Sequence, residues 1–364
     1  MPEDRPRGNR AGGDGHELPA VGTPGPGGDD ARPEVDPSRR VAGAATSSLL
    51  PAPAGEYVAV AATTDRDVDV LAPRVDRQVR GEVEDDDPDL DADVAAWFAD
   101  DCDLPRLSVL GPLTARAQGR VLPRRTAYFS ELLAFLAFRP HGATVAEVAE
   151  AFAAGRVRED VKILREWLGV NPRTGRRHLP DAREAAGARA RGIPVYQVED
   201  LLVDADLFRR LRVRGQARGA DGIADLVQAL RLVTGAPFEQ LRGGGGAWLY
   251  EGDRIDQHLL CAVVDVAHLV TVHALHAGDL RQARWAAETA VTAAPHEEIP
   301  RLDLVAVTAA EGRAAEARRI LLEEVCNRSD DGQAPPDLPP RTVEIIDAAG
   351  WLAPTGTDDG GAGG

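Results

Sequence analysis

Arginine is the side chain this 364-residue sequence supplies in quantity for recognition chemistry, and its spacing is informative in one place. Arg158, Lys162 and Arg165 recur in VREDVKILREWL at intervals that put them on one side of a helix, at about 100° per residue. Arg173, Arg176 and Arg177 crowd the loop that follows, beside His178, with Arg183, Arg189 and Arg191 further on. Cationic groups in such an array neutralise phosphates, so those first six side chains are the candidate nucleic-acid contacts. The same helix predicts a rival use. Val157, Val161, Leu164 and Leu168 define its core face; opposite them lie Glu159 and Glu166, flanked by Ile163 and Trp167. Carboxylates are repelled by a phosphate-lined groove, and an outward Ile163–Trp167 pair suits protein packing better than base readout.

Other reactive types do not assemble. His273 and His276 share a helix face, but Asp279 lies about 120° round from His273, too far to converge on one ion. Gly243–Gly246 lacks the Gly-Lys-Ser/Thr ending of a phosphate loop and reads as an inter-helix linker. Cys102, Cys261 and Cys326 are far apart and form no CxxC pair. Gly-x-Ser-x-Gly and HExxH are absent. The expectation is therefore a protein that is not an enzyme and uses neither cofactor nor metal.

Charge divides the chain. The net value of −17 averages −14 over residues 1–105, +6 over 106–200 and −9 over 201–364, so only the middle segment suits a polyanion. Residues 1–105 are rich in Pro and Gly and include the acidic run EVEDDDPDLDAD from Glu82 to Asp93. Such a stretch buries too little apolar surface to offset its ordering entropy, which predicts a disordered tail; a short strand at 57–61 and a helical turn at 94–98 remain open. The acidic run is either a partner-binding or autoinhibitory arm or a solvated, self-repelling tail. No apolar core follows MPEDRPRGNR, and the longest unbroken apolar run, Leu132 to Phe138, is far short of the roughly 20 residues of a span. A cytoplasmic protein without a membrane partner is expected.

From Leu104 onward the pattern is ordered. Leu107, Val109 and Leu110 before Gly111–Pro112 predict a strand and turn, with a second strand at 120–122 reached through Gln118–Gly119. Three helices follow: one through Leu132, Leu133 and Leu136, one opened by a Thr144/Glu147 capping box, and one from about Arg156 to Leu168. A basic loop then leads to a closing strand through Ile193, Val195 and Val198. Beyond Asp204 the pattern is almost wholly helical. HAGDLRQARWAAETA from His276 repeats as AEGRAAEARRILLEE from Ala310, a shift of 34 residues that superposes Gly278 on Gly312 and Ala283 on Ala317.

These pieces carry a family resemblance. RLSVLGPL (Arg106 to Leu113), FSELLAFLAF (Phe129 to Phe138), DVKILREWLG (Asp160 to Gly169), VYQVEDLLVDADLFRRL (Val195 to Leu211), GAPFEQL (Gly235 to Leu241), Trp248 and the 34-residue pair occur in the order seen in SARP-like bacterial regulators. About two-thirds of the chain resembles that class, which joins a winged helix-turn-helix to a bacterial transcriptional activator domain of tetratricopeptide type. The same pair also forms the cytoplasmic tail of LysM-type cell-wall-binding proteins. The resemblance implies sequence-specific DNA binding by the first module, and protein contacts, oligomerisation or ligand sensing by the second.

The fold expected is mainly α with small β hairpins: a disordered acidic tail (1–105), a winged-helix-like domain (106–203), a tetratricopeptide-like domain (204–352) and a disordered end (353–364). The function expected is transcription regulation through DNA binding, with protein partners or self-association through the helical repeats. The rival is an adaptor that docks a protein partner on Ile163 and Trp167.

Overall fold

The structure is a computed structural model that describes residues 86–122, 124–250, 253–326, 338 and 340–351, together with positions 81 and 83. All lie within the unit Ala44–Gly364. The strand expected at 57–61 and the end segment 353–364 fall outside the described residues. The fold is mainly helical with one small three-stranded sheet.

Among the described elements helix α1 (Leu90–Phe98) comes first, longer than the helical turn expected at 94–98. Leu90 is fully buried, and three of its acidic neighbours are ion-paired: Asp87 and Asp93 both pair with Arg210, at 2.7 and 2.8 Å, and the exposed Asp91 pairs with Arg214 at 2.7 Å. Residues 87–105, expected as part of a disordered tail, thus belong to the fold. Local composition is overridden by arginines from a helix more than a hundred residues away.

β1 (Arg106–Ser108) pairs antiparallel with β2 (Thr114–Arg116) across the predicted turn. The second strand therefore lies earlier than the 120–122 expected. Residues 118–120 do something else: Gly119 and Arg120 donate backbone N–H bonds to the carbonyls of Trp167 and Glu166, each 2.9 Å, and so cap a helix end. A Cβ at Gly119 would collide with the Glu166 carbonyl, so only glycine permits this approach.

Helices α2 (Thr126–Ala137), α3 (Val145–Phe152) and α4 (Val157–Leu168) follow. Thr144 opens α3 with the anticipated reciprocal box: its hydroxyl accepts from Glu147 N at 3.2 Å, and Glu147 accepts from Thr144 N at 2.6 Å. After α4 comes a short helix the pattern gave no hint of, α5 (Ala186–Arg191). The closing strand is also not where alternation placed it. Tyr196 makes only an isolated bridge to Ala143, whereas β3 (Leu202–Val203) pairs parallel with β1, giving the order β2-β1-β3.

β3 runs straight into α6 (Asp204–Arg218), which a 3-10 turn links to α7 (Ile223–Leu230). Asp204 is 1 % exposed, and its carboxylate accepts from Val109 N at 2.9 Å, Leu110 N at 3.0 Å and Ala205 N at 2.7 Å. The loop after α7 stitches onto the same strand exit: Thr234 N donates to Leu110 O and Phe238 N to Val109 O, both 2.7 Å. In consequence one apolar cluster runs from Leu90 to Ala293, through Phe135, Phe138, Phe238 and Trp248. The two halves share this core, and the helices from Glu298 onward bury a further cluster of their own through Leu302, Val305, Leu321 and Ile346. The glycine run is equally built in. Glu131 of α2, 1 % exposed, accepts from Gly246 N at 2.7 Å, and Arg242 Nε lies 2.6 Å away.

The remaining helices are α8 (Ala247–Tyr250), α9 (Ile255–His276), α10 (Leu280–Ala293), α11 (Glu298–Ala310), α12 (Ala314–Ile320), which continues into a π turn to Cys326, and α13 (Pro340–Ala349). The 34-residue repeat is structural. Gly278 and Gly312 sit at φ +74° and +81°, closing α9 and α11. Around them N–H bonds run from 277, 278 and 279 to the carbonyls of 273, 275 and 274, and identically from 311, 312 and 313 to 307, 309 and 308. Ala283 and Ala317 are both buried against the preceding helix of their pair. At 22 residues α9 is long and apolar enough to cross a bilayer, although Asp256, His258, Asp265 and His268 keep its unbroken apolar runs short. Here it is a central core helix, with Val263, Val266, Ala267 and Val270 fully buried.

Candidate nucleic-acid interface

Helix α4 is amphipathic by sequence, and the fold buries Val157, Val161, Leu164 and Leu168 as their spacing requires. Its solvent side carries Arg158, Glu159, Lys162 and Ile163, while Arg165 and Glu166 are half-buried at the edges. Trp167 corrects the outward pair proposed from the sequence: it is 6 % exposed and packs in the main core, because the 118–120 segment covers that end of the helix. Ile163, 39 % exposed, remains outward alone. Ile163→Ser is therefore expected to change stability by no more than about 0.5 kcal/mol, read as an unshifted urea midpoint.

The loop after α4 is a pinned hairpin. Val170 and Arg177 form an antiparallel bridge, Asn171 N donates to Arg176 O at 2.8 Å, and Gly175 N donates to Asn171 O at 2.8 Å. The Asn171 side chain holds the turn from inside: Oδ1 accepts from Arg173 N at 2.8 Å, and Nδ2 donates to Asp200 at 2.7 Å. Backbone constraint, rather than a mobile loop, thus presents Arg173, Arg176 and Arg177, all exposed. His178 does not join them. It is 1 % exposed, and burial pushes its imidazole below the ordinary histidine value, so it adds no positive charge near neutral pH.

Lys162, Arg165 and Arg177 meet, with Glu166 and Asp181, around an open cleft of about 340 Å³ between α4 and the hairpin. The six candidate cations are not equivalent. Arg165 is spent on structure, donating to the Leu179 and Pro180 carbonyls at 2.7 and 3.0 Å. Arg176 pairs with the buried Glu199 carboxylate at 3.3 Å. Among the described residues no carboxylate reaches ion-pair distance of Arg158, Lys162, Arg173 or Arg177. Those four cations are exposed and carry no ion-pair partner among the described residues. Arg191, noted in the sequence as part of the basic stretch, is instead held by Glu147 at 3.0 Å; that contact keeps the Glu147 carboxyl down at about 2.

Burial, with Asp265 and Glu297 nearby, pushes the exposed Cys261 thiol up, away from thiolate chemistry. Among the described residues no three metal-ligating side chains converge. Compared with known proteins, the chain matches no protein-family model and no curated sequence.

Proposed function

We propose that residues 106–203 act as a winged-helix module that binds duplex DNA, and that the helices from 204 to 352 are a tetratricopeptide-like domain for protein contact or self-association. The protein would then be a cytoplasmic transcriptional regulator of the SARP-like kind. The observation that supports this reading is the set of four cations without an ion-pair partner among the described residues, Arg158 and Lys162 on α4 and Arg173 and Arg177 on a hairpin locked by Asn171. A helix followed by a rigid basic hairpin lets one element enter a groove while the other grips backbone phosphates. Arg176 contributes at the margin, and Arg165 serves mainly to hold α4 to the 179–181 segment. The paired helices with matching left-handed glycines 34 residues apart support the interaction domain.

One observation favours a second reading. Ile163 at 39 % and Val170 at 50 % exposure put apolar surface beside the cations, and Glu159 is exposed on the same helix. That mixture suits an adaptor that docks a protein instead of DNA, with Ile163 and not Trp167 as its anchor. Selection of the intact chain against a random duplex library separates the two. A regulator enriches a defined sequence over successive rounds; an adaptor retains no duplex even at low salt.

A further inference from the structure

A second cleft, of about 450 Å³, opens at the junction of the two halves, between the turn that follows α2, the end of α5, Trp248–Leu249 and Asp253–Ile255. The apolar part of its wall is formed by Phe138, Pro140, Trp248, Leu249 and Ile255, beside His141 and a set of charged side chains. The volume is within the range of about 300–1,000 Å³ usual for small-molecule sites.

The charges around it are unevenly committed. Arg191 is held by Glu147, and Arg254 by Asp256, each at 3.0 Å. Arg139 is different. Its guanidinium lies 3.5 Å over the Phe135 ring and gives one hydrogen bond to the Phe135 carbonyl, at 3.2 Å. Among the described residues no carboxylate comes within ion-pair distance of it, and burial holds it below the ordinary arginine value. A half-buried guanidinium with donors to spare, at the edge of an apolar cleft, is an unfinished interaction. Glu147 and Asp253 also line the cleft, so its total positive charge is small. That balance suits a single carboxylate better than a phosphate dianion.

We infer that this cleft binds a small monocarboxylate with an apolar or aromatic body, its carboxylate on the Arg139 fork and its body against Trp248 and Ile255. The site is independent of DNA binding, and its test does not use nucleic acid.

The intact chain should be titrated calorimetrically and by thermal shift with benzoate, phenylacetate and hexanoate, with the matching amides as uncharged controls. The carboxylates are expected to bind and raise Tm, and the amides to do neither. Arg139→Gln should weaken binding by about tenfold or more, as expected when a charge-assisted fork is lost. Because Arg139 also contacts the Phe135 carbonyl, a second variant is needed. Ile255→Trp, at a half-buried position on the wall, fills the cleft while leaving the Arg139–Phe135 contact in place, and should abolish binding while the protein stays folded. Equal binding of carboxylates and amides, no binding of either up to about 10 mM, or full binding by either folded variant would overturn the inference.

Discussion

Asp204→Ala is expected to remove about 3 kcal/mol or more of folding stability, because it strips the shared acceptor from the buried N–H groups of Val109 and Leu110 at once. Those amides lie at the exit of β1, where the loop carrying Thr234 and Phe238 also attaches, so the loss falls on the seam between the halves. A urea titration followed by tryptophan fluorescence would read it as a lowered midpoint. An unchanged midpoint would mean the carboxylate is not the tie described. The same residue has a pH signature. Burial pushes the Asp204 carboxyl up to about 7, against the pull of its N–H donors, which favour the anion. A carboxyl raised in the folded state binds a proton that the unfolded chain releases at about pH 4. Its contribution is full below that pH and is lost as pH rises through about 7. His178, held below its ordinary value by burial, works in the opposite direction near pH 6. The useful quantity is therefore the difference between the wild type and Asp204→Asn, which should shrink from pH 5 to pH 8.

The second large effect concerns recognition. Replacing Arg173, Arg176 and Arg177 together with alanine should weaken binding to random-sequence duplex by about 10- to 100-fold near 100 mM salt. If all three touch phosphates, the slope of log affinity against log salt should become shallower by about 2.7. Arg176 is partly occupied by Glu199, so a change nearer 2 would identify Arg173 and Arg177 as the main contacts. Folding should be little disturbed, since all three side chains are exposed and the turn is held by Asn171 and by backbone bonds. Loss of affinity with an unchanged slope would point to contacts other than phosphate.

What the sequence made legible was what neighbouring residues decide. The Thr144/Glu147 box, the buried stripe of α4 and the Gly278/Gly312 correspondence all act within a few residues and appear as read. What escaped depends on partners brought from afar. Trp167 reads as outward on a helical wheel, because the Gln118–Arg120 segment that covers it lies 47 to 49 residues away in sequence. The acidic run reads as a solvated tail, because Arg210, which holds Asp87 and Asp93, is 123 and 117 residues distant. A two-residue parallel strand such as Leu202–Val203 leaves no period to detect. At the candidate interface, residue types and spacing picked out six cations, but only geometry separated the four without ion pairs among the described residues from Arg165 and Arg176.

The central claim is that these cations grip phosphates, and binding of the intact chain to random-sequence duplex across a salt series tests it most directly. The account predicts micromolar binding at low salt that weakens steeply between about 50 and 200 mM, with a log–log slope of about −3.6 or steeper, as four or more phosphate contacts require. No binding at the lowest salt, or binding indifferent to salt, would contradict it.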